Sequence, residues 1–453
     1  MRALLFNPWI TDFAAFDHWT RPLNLLRLAA LLRQCGWQVD FYDCLDRRSP
    51  DLAGLPPPPR HRLNPFGCGH YYREPIPAPP VLEPIPRTYK RYGVPPDRVE
   101  AQLRTLPPPN VAMIPCMMTY WYPGAFDAIR MIRRIFPRAV VILGGTYAAL
   151  CRNHAEIHSG ADWVLTGAHW PEIVARIRQK VESSGDSCPG DAKTWIEPAY
   201  DLIRGETCLP LLTSVGCPCH CSYCATHALW PMYARYDRDV VMASIERMTA
   251  DFGARDIAFF DDALLIHKDK HILPILEETM RRGIRARFHT PNALHVRQID
   301  RETARLLKRS GFSTLRLGLE TTQPDRQKAT GGKVNTDEYQ EAMRHLREAG
   351  FTAREVGTYI LFGLPWQSIR EVWDACRIVA AAGSEIKLAM YSPVPGTPLF
   401  DPDPDDFRFD PREEPLLQNN SLSPWRSRDV SYEAYQELKR FIAGTNRDLR
   451  EKV

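Results

Sequence analysis

The sequence predicts an α/β chain with an N-terminal parallel-sheet domain, an open six-stranded β/α barrel and a helical C-terminal tail. Three observations predict this fold. Short apolar runs alternate with helical apolar periods along two separate stretches. A polar, turn-rich segment at 182–205 divides the two. Each strand of the second stretch ends on a glycine or polar feature, which is where ligands sit in folds of this class.

In the first stretch, at 1–181, Ala3–Asn7 reads as a short apolar strand. Pro22–Cys35 carries Leu23, Leu25, Leu26, Leu28, Leu31 and Leu32 at helical spacing and is ended by Gly36. Strands follow at Gln38–Tyr42, Asn110–Pro115, Ala139–Leu143 and Asp162–Leu165, with helices at Gly124–Phe136 and Pro171–Val181. This alternation predicts a Rossmann-like parallel sheet with helices on both faces. Gly144-Gly145 directly follows a strand, where glycine lets a ligand approach the backbone or simply makes a turn.

The second stretch, at 206–400, repeats strand–helix units. Its strands are Leu209–Val215, Asp256–Phe260, Arg285–His289, Thr314–Leu319, Glu355–Ile360 and Glu385–Tyr391. The helices between them are Asp239–Phe252, Lys268–Arg282, Asp300–Ser310, Thr336–Ala349 and Ser368–Ala382. Six strands and five intervening helices predict a partial TIM-type barrel. Beyond it, Asp401–Pro415 is acidic and proline-rich. Ser421–Val453 reads as a helical tail anchored by Tyr432, Leu438 and Ile442.

Composition excludes several classes. No apolar run reaches the length of a membrane span, and the start is too short an apolar stretch for a signal peptide. The net charge of +4 comes with no Lys/Arg-rich run, which gives no case for nucleic acid. The cysteines at 35, 44, 68, 116, 151, 188, 208 and 376 are scattered, as expected of reduced thiols in a cytoplasmic protein. Of the 40 prolines, 17 crowd between Pro50 and Pro109. That insertion, at about 46–109, excludes a regular helix or central strand, while its aromatics predict irregular but packed structure.

The most informative run is Gly216-Cys-Pro-Cys-His-Cys-Ser-Tyr-Cys224. Cys217, Cys221 and Cys224 are spaced C-x3-C-x2-C, with Tyr223 before the last. Three thiolates can hold three irons of a 4Fe–4S cluster and leave the fourth without a protein ligand. A zinc site is the rival reading: Cys221 and Cys224 form one pair, and Cys217, Cys219 or His220 could supply the rest.

This motif resembles the signature of the radical S-adenosylmethionine (SAM) enzymes. The resemblance implies that Cys217, Cys221 and Cys224 hold a 4Fe–4S cluster whose open iron chelates SAM, with Tyr223 packed over it. Reductive cleavage of SAM then gives a 5′-deoxyadenosyl radical that abstracts hydrogen from substrate. By position, Asp261 and Asp262 resemble the segment that holds SAM's amino group, a helix cap by Asp262 being the plain alternative. Glu320 resembles the carboxylate that binds the ribose hydroxyls, a salt bridge being the plain alternative. Gly363 would let adenine approach closely, and Arg235 stands where relatives place a base for SAM's carboxylate. His289, Asn292 and His295 follow the third barrel strand and could face SAM or substrate.

The N-terminal order of elements, with Gly144-Gly145 after the fourth strand, resembles the cobalamin-binding domain of many such enzymes. That resemblance lacks one feature: Asp12-Phe-Ala-Ala-Phe-Asp-His18 does not match the Asp-x-His-x-x-Gly that ligates cobalt. It implies cobalamin held without a histidine ligand, or a domain kept as scaffold alone. The implied function is radical SAM chemistry on a small molecule, with cobalamin-dependent methylation first. Rearrangement, cyclisation or oxidation without cobalamin is the alternative, and a metal-binding protein without SAM chemistry is the other class. A reductant such as flavodoxin or ferredoxin is the implied partner. No catalytic side chain beyond the cofactor-binding set can be named.

Overall fold

The computed structural model describes residues 1–453 except 57–65, 168–169, 183–194, 204, 206, 401–410, 412–413, 423–430 and 452–453. Cys188, most of the proline run at 56–59, and much of the segments 182–205 and 401–415 therefore lie outside the described residues. The chain forms two compact units: Met1–Arg204 with Asp410–Asn419, and Gly205–Phe409 with Asn420–Val453.

Unit 1 is built on β1 (Arg2–Asn7), β2 (Gln38–Asp43), β3 (Val111–Pro115), β4 (Val140–Gly144) and β5 (Trp163–Val164). They form a parallel sheet in the order β2-β1-β3-β4-β5. Alternate residues of β1 serve opposite faces, as a pleated strand requires. Leu4 and Phe6 join a core with Ala128 and Ile132 of the helix Tyr122–Ile135. Ala3 and Leu5 join another with Leu28 and Leu32 of the helix Leu23–Gln34. With both faces covered, the central strands need the continuous apolar runs that the sequence carries. This is the Rossmann-like sheet that the alternation predicts.

The proline-rich insertion is more regular than its composition suggests. Arg73–Pro75 and Lys90–Tyr92 pair antiparallel, and Ile10–Asp12 adds the third strand. A helix spans Pro96–Leu103, with Pro96 at its first position, where a missing N–H costs no hydrogen bond. Leu82, Tyr89, Tyr92, Val94 and Val99 are buried there. Part of the expected linker also differs. Ile196, Ala199 and Tyr200 are buried, and the Ala199 amide donates to the Leu26 carbonyl at 3.1 Å, because these residues are apolar enough to finish the unit 1 core.

Unit 2 carries β6 (Cys208–Leu211), β7 (Asp256–Phe259), β8 (Arg287–His289), β9 (Phe312–Glu320), β10 (Val356–Phe362) and β11 (Glu385–Met390). They lie in sequence order as one 6-stranded parallel sheet. Capping residues fix where most of the intervening helices begin. Asn335 and Glu338 form a reciprocal capping box at 2.8 and 2.9 Å, as do Ser368 and Glu371. Asp300 accepts from the Thr303 amide at 2.8 Å. The helix Tyr432–Glu451 packs on this unit through Trp373–Phe441 and Phe362–Tyr435 ring contacts. Among the described residues no helix is long and apolar enough to cross a membrane.

Candidate functional site

The first barrel strand is shorter than the apolar run that predicts it. β6 stops at Leu211, and Ser214–Val215 leaves the sheet to pair antiparallel with Ala234–Arg235. That two-rung clasp closes the base of the cysteine loop. Gly216 turns the chain at φ +75°, and a Cβ there would lie 2.4 Å from the Met232 carbonyl oxygen, so only glycine fits.

Within the loop the cysteines are held by short local bonds. The Cys219 amide donates to Cys217 Sγ at 3.4 Å, and the Cys224 amide to the Cys221 carbonyl at 3.1 Å. Cys224 Sγ lies 3.1 Å from Thr226 Oγ1. His227 bonds the Cys219 carbonyl at 2.8 Å and stacks on His220 with ring centroids 4.1 Å apart. Two other segments brace the loop. The Leu399 amide donates to the Ser222 carbonyl at 3.0 Å. Gly331 lies so close that a Cβ on it would sit 3.0 Å from the His220 carbonyl oxygen.

Cys217, Cys221 and Cys224 line one cavity of about 340 Å³ together with Tyr223, Asp262, Asn292, His295 and Glu320. That volume is at the lower end of the range for small-molecule sites. Tyr223 forms part of its wall and packs on Leu361, Leu364 and Tyr391. Burial pushes its phenol far above the ordinary value, so it stays neutral.

Glu320 ends β9 in the left-handed region at φ +68°, where pairing with β10 slips by one residue. A non-glycine residue held there costs about 1–3 kcal/mol and needs its surroundings to enforce it. The side chain is buried, and Lys333 Nζ lies 3.8 Å from its carboxylate. Burial raises the Glu320 carboxyl, while Lys333 and a hydrogen bond from Tyr223 pull it back. Gly318 leaves room for both charges, since a Cβ there would lie 2.8 Å from Glu320 Oε1 and from Lys333 Nζ.

The aspartate pair divides. Asp262 faces the cavity and is open to solvent on that side. Desolvation by the cleft walls, followed by the charge of Asp261, pushes its carboxyl up to about 6. Asp261 turns the other way and is 3% exposed. It accepts from Thr213 Oγ1 at 2.7 Å, the Thr213 amide at 3.1 Å and Ser214 Oγ at 2.5 Å. This corrects the sequence expectation for Asp261: it ties β7 to the start of the cysteine loop and does not line the cavity.

Other expected residues also lie elsewhere. Gly363 does not line the cavity; it turns the chain at φ +87°, and its amide donates to Gln367 Oε1 at 2.8 Å. His289 is buried between Asp256 and Thr314, at 2.8 and 2.7 Å. Arg235 is exposed and reaches the Lys270 carbonyl at 3.4 Å. Gly144 and Gly145 belong to unit 1. Gly145 has φ +90°, and a Cβ there would lie 2.6 Å from the Cys116 carbonyl oxygen, so packing against that backbone requires glycine. In unit 1, Asp12 bonds Trp121, Asn419 and the Phe13 amide, and Asp17 pairs with Arg21 and Arg47. The segment after β1 is thus committed to packing. Sequence reasoning misses Lys333; its one signal is the Gly331-Gly332 pair that brings it against the cysteine loop.

Comparison with known proteins agrees with this geometry. Residues 211–379 match the family model of the radical SAM superfamily. Bacteriochlorophyllide d C-12(1)-methyltransferase of Chlorobaculum tepidum is 23% identical over 278 residues, 58% of this chain and 59% of that protein. The anaerobic magnesium-protoporphyrin IX monomethyl ester cyclase of Cereibacter sphaeroides is 23% identical over 342 residues, 67% and 54% respectively. The chain thus spans little more than half the length of these curated relatives. Among solved structures, the radical SAM methyltransferase TsrM of Kitasatospora setae, with cobalamin and a 4Fe–4S cluster bound, superimposes with a TM-score of 0.62. It is 16% identical, with 88% of this chain and 76% of that chain covered. Three thiols on one cavity and a six-stranded parallel sheet accompany this match, and residues 211–379 of the chain form a radical SAM superfamily domain.

Proposed function

We propose that the chain is a radical SAM enzyme that methylates a small organic molecule with the help of cobalamin. The observation that carries the reading is the convergence of Cys217, Cys221 and Cys224 on the cavity that also holds Asp262 and Glu320. A thiolate set of this kind suits iron–sulfur ligation. The chemistry supplied there would be one-electron cleavage of SAM and hydrogen abstraction from substrate.

The chain's own residues have separable roles in this reading. Cys217, Cys221 and Cys224 would hold the cluster. Asp262 offers a carboxylate to an ammonium group by charge-assisted hydrogen bonds. Glu320 offers acceptors to sugar hydroxyls, and Lys333 Nζ, 3.8 Å from its carboxylate, partly offsets the cost of burying it. Tyr223 and the apolar residues behind it keep water away from the back of the loop. Gly363 shapes the β10 turn rather than the cavity wall.

For cobalamin the support is the sheet of unit 1 and the likeness to TsrM, whose structure contains it. A histidine ligand from the segment after β1 is not part of this reading, because Asp12-Phe-Ala-Ala-Phe-Asp-His18 lacks the Asp-x-His-x-x-Gly spacing and its aspartates are engaged in bonds within unit 1. Likeness to the cyclase favours a second reading, a radical-driven cyclisation in which no methyl group is transferred.

Anaerobic reconstitution with iron and sulfide, then SAM, a strong reductant and methylcobalamin, tests both. The expected result is a brown protein that forms 5′-deoxyadenosine and retains cobalt after desalting. Cys221→Ala should abolish 5′-deoxyadenosine formation while leaving the far-UV spectrum unchanged. A wild-type chain that takes up no iron and sulfide would overturn the reading, and a cluster-loaded chain that retains no cobalt would favour the cyclisation.

A further inference from the structure

Cys219 is left over by the cluster reading, and it has company. Its Sγ, the Sγ of Cys217 and a ring nitrogen of His295 all lie within 4.8 Å of one another. Cys217 Sγ and His295 Nε2 are 3.7 Å apart. Around a tetrahedral zinc ion, bonds of about 2.3 Å to sulfur and about 2.0 Å to nitrogen put two such donors about 3.6 Å apart. The pair already stands at the separation a bound ion would impose.

The donors are held rather than loose. His295 is 4% exposed, so its ring has little freedom to swing out to solvent. Its other nitrogen, Nδ1, is buried without a hydrogen-bond partner among the described residues. With no partner fixing Nδ1, that nitrogen can keep the ring proton and leave the Nε2 lone pair for an ion. Cys219 is fixed at both backbone ends, its amide on Cys217 Sγ and its carbonyl on His227. Two thiolates and one imidazole with an open position form a donor set that suits a soft divalent ion.

We propose that the cluster-free chain binds one thiophilic divalent cation of the zinc type through Cys217, Cys219 and His295. Cys217 belongs to this set and to the cluster set, so the ion and the cluster exclude each other. The sequence alone offers His220 for such a site. The structure instead stacks His220 on His227 and brings in His295 from the loop after β8. The proposal shares one cysteine with the cluster reading but stands apart from it, since Cys221 and Cys224 play no part.

The test is cobalt(II) titration of the cluster-free, anaerobically reduced full chain, followed by zinc competition. One cobalt per chain is expected, with thiolate charge-transfer absorption and the visible bands of a tetrahedral site. Cys219→Ser and His295→Gln should each weaken binding at least about tenfold, the scale on which losing metal-site groups acts. Cys221→Ser should leave cobalt affinity unchanged. Zinc added first should block cluster reconstitution in the wild type and not in Cys219→Ser. Because Cys219 is only partly buried, its serine variant still tests the site even if His295→Gln does not fold. Unchanged affinity in Cys219→Ser, or a loss in Cys221→Ser equal to it, overturns the proposal. A wild type that takes up the cluster but binds no cobalt sinks this site and leaves the enzyme reading standing. Cys219-dependent cobalt binding without any cluster uptake does the reverse.

Discussion

A methyl group at position 318 would sit 2.8 Å from both Glu320 Oε1 and Lys333 Nζ. Both are ends of flexible side chains, so Gly318→Ala should fold and yet push the two charges out of register. A loss of about tenfold or more in SAM cleavage is expected, with little change in melting temperature, because about 1.4 kcal/mol of lost interaction already gives tenfold. Activity within twofold of wild type would show that the Glu320–Lys333 geometry does not matter. Asp262 makes a pH prediction. Its carboxyl is pushed up to about 6, so it takes its proton as the pH falls through 6, where an ordinary aspartate stays charged to about 4. Cation binding by this group is therefore half-maximal near pH 6, nearly full at pH 7 and mostly lost at pH 5. Calorimetric SAM affinity should fall between pH 7 and 5.5 in the wild type, and be weak and flat over that window in Asp262→Asn. A flat wild-type profile would remove Asp262 from the role. The sequence can nominate the aspartate pair but does not say which member faces the ligand. Neighbours in an extended segment point to opposite sides, and which side is the cavity depends on how the next strand packs. Lys333 is harder to find, because nothing local ties a lysine after a glycine pair to a glutamate 13 positions earlier in sequence.

At the scale of elements, all six barrel strands are legible, since each is an apolar run next to a helical apolar period. Apart from β6, which stops four residues early, their ends move by a residue or two; β9, for example, runs Phe312–Glu320 where the apolar run gives Thr314–Leu319. What stays hidden are elements too short to have a period. The clasp Ser214–Val215 with Ala234–Arg235 has two rungs and closes a loop across 18 intervening residues. The strands of the proline-rich insertion are three residues each, pair with one another, and take their third strand from Ile10–Asp12, about 80 positions away in sequence from the one it pairs with. The far edge of the barrel sheet makes a stability prediction. Among the described residues β11 has no strand beyond it, and the buried side chain of Asn446 takes that place. Its Oδ1 accepts from the Ile386 amide at 2.8 Å, and its Nδ2 donates to the Ile386 carbonyl at 2.9 Å. Asn446→Ala strands a buried donor and acceptor, which costs about 1–3 kcal/mol for each group left unsatisfied. The midpoint of chemical unfolding should fall, and the Ile386 amide should exchange with deuterium faster than in the wild type. Asn446→Asp should keep the bond from the Ile386 amide and lose the one to its carbonyl, giving an intermediate effect. Equal exchange in all three proteins would show that water replaces the side chain without cost.

At the scale of the whole chain, the C-terminal region serves the two units in turn. Asn420–Val453 belongs to unit 2, whereas Asp410–Asn419 belongs to unit 1. A tail read from its helical period alone cannot reveal the second role, because Leu416, Leu417 and Gln418 are buried in a 3₁₀ turn with no period to detect. The joint is polar: Asn419 Nδ2 donates to Asp12 Oδ1 at 3.1 Å, and Trp121 Nε1 donates to Asp12 Oδ2 at 2.9 Å. Burial raises the Asp12 carboxyl above its ordinary value, and these donors oppose the rise. The sign follows from that. A folded-state value above the unfolded one means that the stability linked to this group is fully present at low pH and is lost as the pH rises through the folded value. Asn419→Ala removes one donor to the carboxylate and leaves the protonated form less affected. The variant should therefore lose more stability at pH 8 than at pH 5, relative to wild type at each pH. Thermal unfolding at the two pH values measures this directly. Hydrogen exchange should place the weakened region in residues 10–13 and around Trp121, all in unit 1. An equal loss at both pH values would mean that Asn419 acts through packing alone and that Asp12 does not depend on it for its charge.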